Sequence, residues 1–172
     1  DFRVEHLFAT NGGQLNPLDL KWLRERAREV YPPTTAGPRR IYVSRQGVGS
    51  RMVSNFEVIL PILEEFGFEV VQPEKLGVAK SVSVFQDAEC IIGPEGSGVR
   101  NMVWSENAKV MEIFGHELNY GQWQMAFALG FEYHPYLEPR EIPETKGRWR
   151  DVDVSGISVN PELFRQFLRM HL

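Results

Sequence analysis

Short apolar runs alternate with amphipathic stretches along most of this chain. Runs rich in β-branched and aromatic residues predict strands, and apolar residues that recur every three or four positions predict helices. The predicted strands cover residues 40–44, 68–71, 88–92 and 109–113, with 131–133 as a candidate fifth strand. The predicted helices cover residues 17–30, 55–65, 82–87, 99–104 and 120–129, and a last helix begins after Asn160.

Several helix ends carry their own signals. The pairs Asn16-Pro17 and Asn160-Pro161 each place a capping side chain before a proline, which is typical of a helix start. Gly130 is typical of a helix end. Pro61 lies inside the predicted second helix, so that helix is either kinked or begins near Leu60.

The order of these elements indicates the fold class. Strand–helix units joined by short turns are typical of a parallel sheet with helices on both faces. The sequence therefore predicts an α/β fold with a parallel sheet covered by helices. Ligands of such sheets bind at the carboxyl ends of the strands. Two segments follow strands at that edge: residues 45–51, here called the arginine loop, and residues 93–101, called the glycine loop.

The glycine loop, GPEGSGVRN, is the most informative segment for chemistry. A strand that runs into a glycine-rich turn and then a helix presents backbone N–H groups that suit a phosphate or carboxylate. The alternative is a tight turn that serves only close packing of helix on strand. The spacing lacks the full GxGxxG of dinucleotide sites, the GK[ST] of P-loop NTPases and the GxSxG of a nucleophile elbow.

Composition narrows the class of protein. A chain of 172 residues with 42% hydrophobic content predicts a single domain. Its net charge of −4 argues against a nucleic-acid-binding surface. No apolar run is long enough for a membrane span, and the N-terminus lacks a signal-peptide pattern. The single Cys90 favours a reducing, cytoplasmic compartment, with peripheral placement at the inner membrane as the alternative.

An ordered series of motifs runs through nearly the whole chain. They are NPLDLKWLRERA, IYVSRQ followed by a second arginine and Asn55, EEFGFEVVQPEKL, VFQDAECIIGPEGSGVRNMVW, AKVMEIF and VDVSGISVNPELF. This series resembles the C-terminal half of glycosyltransferase family 61. The resemblance implies the donor-binding Rossmann-like half of a GT-B enzyme, and it implies an N-terminal half that supplies much of the acceptor site. We therefore expect this chain to be one part of a longer enzyme.

The resemblance also suggests the domain layout. Residues 1–172 would form a single nucleotide-sugar-binding domain, with a leading helix and linker over 1–38. An α/β core over 39–134 would follow, and then a connecting loop and closing helix over 135–172.

Site residues follow from the same resemblance. Arg45 and Arg51 would neutralise the diphosphate of the donor, since guanidinium groups pair with phosphate oxygens; a solubilising surface pair is the alternative. The backbone of Gly96, Ser97 and Gly98 would approach the diphosphate. The remaining candidates are Asn55, Asn101, which would bond to the donor or stabilise the turn, and Glu112, which would accept hydrogen bonds from ribose hydroxyls or serve a structural role.

Three positions depart from the family pattern. Glu95, also assigned to the site, stands where the family usually has a histidine, Phe56 stands where it prefers glutamate, and Ser81 stands where glutamine is frequent. A carboxylate beside a diphosphate is repulsive unless a cation or a proton intervenes. The departure therefore leaves open an altered donor or a loss of catalysis.

The expected function is sugar transfer from a nucleotide-sugar donor to a glycan acceptor, with inversion, in capsular or extracellular polysaccharide biosynthesis. The alternatives are a non-catalytic nucleotide-binding module and a purely structural domain. No general base is identified, and no cofactor, metal or nucleic acid is expected. Asp151-Val152-Asp153 matches a metal-binding DxD triplet only by chance, and the aromatic residues Tyr120, Trp123 and Phe127 are predicted to be core rather than a sugar platform.

Overall fold

The computed structural model describes residues 15–32, 37–115, 119–138 and 156–172. The strands are β1 (Arg40–Val43), β2 (Glu69–Val71), β3 (Cys90–Pro94), β4 (Lys109–Phe114) and β5 (Tyr133–Leu137). The helices are α1 (Pro17–Val30), α2 (Phe56–Glu65), α3 (Val78–Phe85), α4 (Gly121–Leu129) and α5 (Pro161–His171). A short 3₁₀ turn, Pro73–Lys75, follows β2, and a 3₁₀ helix, Ser97–Trp104, follows β3.

The five strands form one parallel sheet in the order β2-β1-β3-β4-β5. Each face of the sheet packs against a separate hydrophobic core. On one face, α2 and α5 contribute Ile59, Leu63, Phe164 and Leu168, all fully buried. On the other face lie α1, α3, α4 and the 3₁₀ helix, with residues such as Phe85. The predicted α/β, Rossmann-like fold is confirmed.

The strand order places the two predicted loops side by side. From β1 the chain proceeds to β2 at one edge, and it later crosses back so that β3, β4 and β5 extend the sheet on the other side of β1. The carboxyl ends of β1 and β3 are therefore neighbours at the point where the order reverses, which is where open α/β sheets bind ligands. The arginine loop leaves β1 there, and the glycine loop leaves β3.

Local signals at three helix ends are confirmed. The Asn16 side chain accepts a hydrogen bond from Leu18 N–H at the start of α1, and Asn160 caps α5 in the same way. Gly130 ends α4 in a left-handed conformation, with a φ of 74°. Pro61 lies within a helix that already begins at Phe56, so the alternative start near Leu60 is wrong.

Some boundaries differ from the prediction. Helix α3 begins at Val78, four residues before the predicted start, and β5 is Tyr133–Leu137, so the candidate strand over 131–133 was placed too early. The predicted helix over 99–104 is a 3₁₀ helix that begins at Ser97. An apolar run in the sequence predicts that a helix or strand exists better than it predicts where that element ends. The ends depend on strand register and helix capping, which involve residues outside the run.

The three aromatic residues of α4 were predicted to be core, and that prediction is wrong. Tyr120, Trp123 and Phe127 are 64%, 47% and 75% exposed. Trp123 and Phe127 stack on each other outside the core, with ring centroids 6.0 Å apart. Their spacing marks one face of the helix, but the opposite face, with Met125 and Ala126, is the one that packs on the sheet. Among the described helices, none is both long and apolar enough to cross a bilayer.

Candidate functional site

The arginine loop brings Arg45 against the glycine loop. Arg45 follows the buried end of β1 and is only 9% exposed. Its Nε donates to the Ser50 carbonyl oxygen at 3.1 Å, and its Nη2 lies 3.4 Å from the Ser50 hydroxyl. Burial, followed by the charge of nearby Arg51, lowers the pKa of Arg45. This guanidinium is therefore partly desolvated and is held beside a second positive charge.

Gly96 makes the close approach of Arg45 possible. A Cβ atom built at Gly96 would overlap the Arg45 guanidinium, and the φ of Gly96 is 156°, where L side chains are rarely found. Two other glycines of the loop serve packing: a Cβ at Gly93 or at Gly98 would lie within 3 Å of Val43 atoms in β1. The loop glycines thus serve close packing, which is one of the two alternatives that the sequence left open: 93 and 98 fit the strand, and 96 admits a guanidinium.

Backbone donors follow Gly96 directly. Ser97 and Gly98 begin the 3₁₀ helix Ser97–Trp104, and within the described part of the chain their N–H groups have no hydrogen-bond acceptor. Ser97 is exposed. These two N–H groups are the free donors of the loop that an anion can reach.

Glu95 is a buried carboxylate within the glycine loop. Its side chain is 3% exposed and forms an ion pair with Arg51, whose side chain is 32% exposed. Arg51 adopts a left-handed backbone conformation with a φ of 54°, which is uncommon for arginine. Among the described residues Glu95 Oε1 has no hydrogen-bond partner. One carboxylate oxygen is thus occupied by Arg51 and the other is an unused acceptor.

Glu112 lies near the carboxyl end of β4 and is fully buried. The Tyr133 hydroxyl donates to its Oε2, while Oε1 has no partner among the described residues. Burial raises the pKa of Glu112 to about 7 and the charge of Glu95 also raises it, whereas the hydrogen bond from Tyr133 lowers it. Near neutral pH this carboxyl group therefore exists in both protonation states.

The two predicted asparagines are engaged within the fold. Asn55 accepts from Val159 N–H at 3.0 Å and donates to the Val159 carbonyl oxygen at 2.7 Å. It ties the segment before α5 to the start of α2. Asn101 donates to the Gly98 carbonyl oxygen at 2.9 Å and accepts from Trp104 Nε1 at 3.1 Å. Asn101 therefore braces the 3₁₀ helix, as one of its two predicted roles required.

Sequence reasoning missed two members of this cluster. Ser50 holds the Arg45 guanidinium, and Tyr133 holds Glu112. Ser50 lies within the arginine loop, so its position could have suggested a contact with Arg45. Nothing in the sequence pairs Tyr133 with Glu112, because their contact depends on the register between β4 and β5.

Positively and negatively charged side chains lie together at the carboxyl ends of the strands. Arg45 and Arg51 converge on the glycine loop, and Glu95 and Glu112 lie beside them. Among the described residues, no group of three histidine, cysteine or carboxylate side chains is arranged to hold a metal ion. Asp151 and Asp153 lie outside the described residues. The arrangement offers guanidinium and N–H donors to an anion and carboxylate acceptors to a hydroxyl or N–H group.

The comparison with known families matches the part of the chain that contains the arginine loop and the glycine loop. The family model described as Glycosyltransferase 61 matches residues 2–111, which is more than half of the sequence and includes both loops. No curated protein matches the sequence.

Proposed function

The chain belongs to glycosyltransferase family 61, and from that premise we propose that it binds the nucleotide-sugar donor of a glycosyl transfer reaction. The observation that carries the proposal is the convergence of Arg45 and Arg51 on the glycine loop, at the reversal point of the sheet. Guanidinium groups and free N–H groups together are a strong site for phosphate.

Each group has a proposed role in this reaction. The N–H groups of Ser97 and Gly98 and the guanidinium of Arg45 bind donor phosphate and stabilise the negative charge that develops on it as the sugar leaves. Glu112 is the proposed acceptor of hydrogen bonds from ribose hydroxyls; because it is fully buried, this role requires its side chain to become accessible when the donor binds. The described residues supply no general base for the acceptor hydroxyl, so we assign that base to another part of the enzyme.

We further propose that this chain is the C-terminal half of a GT-B enzyme. The other half carries much of the acceptor site, and the reaction proceeds by direct displacement with inversion. The acceptor is a glycan of capsular or extracellular polysaccharide biosynthesis, and no cofactor is needed beyond the donor itself. These points are proposed from the family.

Donor binding is tested by calorimetry with UDP, UDP-sugars, GDP-sugars and CMP-sugars. Arg45→Ala should weaken binding about tenfold or more, since hydrogen bonds to charged groups contribute about 1.5–3 kcal/mol. Arg39→Ala is the matched control, because Arg39 precedes β1, pairs with Glu89 and is 69% exposed. Binding by no nucleotide, or equal weakening by both substitutions, would contradict the proposal.

A second candidate is a non-catalytic nucleotide-binding module. The observation that favours it is the Glu95 carboxylate, which occupies the guanidinium of Arg51 and places a negative charge beside the phosphate-binding groups. Turnover of a radiolabelled donor by the full-length protein separates the two candidates. Sugar transfer to any of a broad panel of glycan acceptors supports the transferase, whereas donor binding without transfer supports the module.

A further inference from the structure

The exposed aromatic side of α4 borders a cavity that the proposed donor site does not use. The cavity has a volume of about 310 Å³. Its walls are mainly aromatic and aliphatic side chains, those of Phe114, Tyr120, Trp123, Tyr133, Pro135 and Leu137. Phe114 and Leu137 are the last residues of β4 and β5. The cavity therefore reaches the carboxyl edge of the sheet, where ligands of α/β folds bind.

One side chain joins this cavity to the candidate donor site. The Tyr133 ring lines the cavity, and the Tyr133 hydroxyl donates to Oε2 of Glu112. Glu112 is also the sheet partner of Pro135, which forms another part of the cavity wall. A molecule bound in the cavity therefore lies next to the donor site rather than on a remote surface of the protein.

The side chains of the cavity indicate the chemical class of its ligand. Within the described part of the chain, no charged side chain lines the cavity, whereas the donor site carries the guanidiniums of Arg45 and Arg51. Aromatic rings present faces of partial negative charge, which attract polarised C–H groups. Asn119 and Tyr120, both exposed, add an amide and a hydroxyl at the rim. Aromatic faces with a few hydrogen-bonding groups suit the C–H face and the hydroxyls of a sugar ring.

The aromatic residues continue beyond the cavity. Trp123, which lines it, stacks on Phe127 farther along α4, and Phe127 is 75% exposed. The seven positions from Tyr120 to Phe127 correspond to about 10 Å along a helix. That length exceeds a single nucleobase and favours a chain of linked rings as the ligand.

We propose that Tyr120, Trp123 and Phe127, together with the cavity beside them, form a binding surface for a neutral oligosaccharide. We call it the aromatic surface. Its ligand is the part of the acceptor glycan that lies away from the reacting hydroxyl group. The inference rests on the proposed function, because it makes the oligosaccharide the acceptor of that reaction. Trp123 is the central contact, since it belongs both to the cavity wall and to the exposed stack.

The test uses four neutral tetrasaccharides as probes: cellotetraose, xylotetraose, chitotetraose and mannotetraose. Their dissociation constants are measured by calorimetry, and the indole Nε1–H resonance of Trp123 is followed in the ¹⁵N-labelled chain. At least one probe should bind and should shift this resonance. Trp123→Ala should weaken that binding at least tenfold, whereas Trp123→Phe, which keeps an aromatic face, should weaken it less than threefold.

A matched control distinguishes the aromatic surface from any exposed tryptophan. Trp22 lies on α1, is 61% exposed and does not line the cavity. Trp22→Ala should therefore change the affinity for the bound tetrasaccharide less than twofold. Trp123 is itself 47% exposed, so its replacement removes little of the core, and urea denaturation of each variant checks that it is folded.

Tetrasaccharide binding that depends on Trp123 and not on Trp22 supports the inference. Binding of none of the four probes, or equal binding by wild type and Trp123→Ala, overturns it. A larger shift of the Trp123 resonance with UDP than with any tetrasaccharide also overturns it, because the surface would then hold the nucleobase. Self-association of the chain that Trp123→Ala abolishes would assign the surface to a second copy and overturn it as well.

UDP binding by the wild type, measured in parallel, separates this inference from the proposed function. Binding of UDP without binding of any tetrasaccharide overturns the inference and leaves the proposed function standing. Tetrasaccharide binding at Trp123 without binding of any nucleotide supports the oligosaccharide surface and contradicts the proposed donor site. Binding of neither class of ligand overturns both.

Discussion

Two buried carboxyl groups at one edge of the sheet have different partners. Glu95 is bound to the guanidinium of Arg51. Glu112 meets a neutral hydroxyl, that of Tyr133, and burial raises its pKa to about 7. A carboxyl group with such a pKa affects stability in the pH range where nucleotide binding is measured.

The raised pKa of Glu112 predicts a specific dependence of stability on pH. The folded protein holds this proton more tightly than the unfolded chain, whose value is 4.5. Stability from this group is therefore fully present below pH 4.5 and is lost as the pH rises through about 7. Glu112→Gln removes the titration, so from pH 5 to pH 8 the variant should gain about 2–3 kcal/mol in free energy of unfolding relative to wild type.

Urea denaturation at the two pH values measures this difference. Glutamine keeps an oxygen that can accept from Tyr133, so the change isolates the charge. Glu106→Gln is the control, since the Glu106 side chain is 74% exposed and should show no such gain. A stability difference between Glu112→Gln and wild type that is the same at pH 5 and pH 8 would contradict the assigned pKa.

Individual site residues were predictable to different degrees. The two arginines and the glycine loop could be predicted to lie at the same edge of the sheet, because parallel strands end there. The structure also brings Arg45 to Gly96. The partner of Glu95 could not be predicted, since it depends on the conformation of the arginine loop around Arg51. The engagement of Asn55 with Val159 likewise joins positions about a hundred residues apart.

At the scale of elements, the sequence predicted the helices and strands better than their buried faces. The β-branched runs became strands, and capping residues marked the ends of α1, α4 and α5. In α4 the spaced aromatic residues suggested the wrong buried face. Its small and flexible residues, Ala126 and Met125, pack on the sheet instead. Which face of a helix is buried depends on the space that neighbouring elements leave, and this helix has apolar residues on both faces.

A proline in the middle of helix α2 is expected to destabilise the helix. Pro61 is exposed and lacks the N–H that would bond to the Glu57 carbonyl oxygen in a regular helix. Pro61→Ala should therefore raise the free energy of unfolding by about 1–3 kcal/mol. Glu64→Ala, at an exposed position of the same helix, should change it by about 0.5 kcal/mol or less. Destabilisation by Pro61→Ala in urea titrations would show that the proline is needed for packing.

At the scale of the whole molecule, the order of the strands determines where the candidate binding residues lie. The order in which strands are added to the parallel sheet reverses between β1 and β3, and the loops that follow those two strands carry Arg45, Arg51 and residues 96–98. Sequence reasoning predicted the parallel sheet and the edge that carries the loops. It did not derive that β1 and β3 are adjacent, because strand order depends on long-range pairing that no local pattern records. That adjacency is what makes two separate loops into one site.

The most direct test of the account is where a nucleotide binds. Backbone amide and arginine Nε–H resonances of the ¹⁵N-labelled chain are followed while UDP and, separately, UMP are added. The account predicts that the largest shifts occur at Gly96, Ser97 and Gly98 and at the Nε groups of Arg45 and Arg51. The largest shifts at the amino ends of the strands, around residues 86–89, or on the exposed aromatic face of α4, would contradict it.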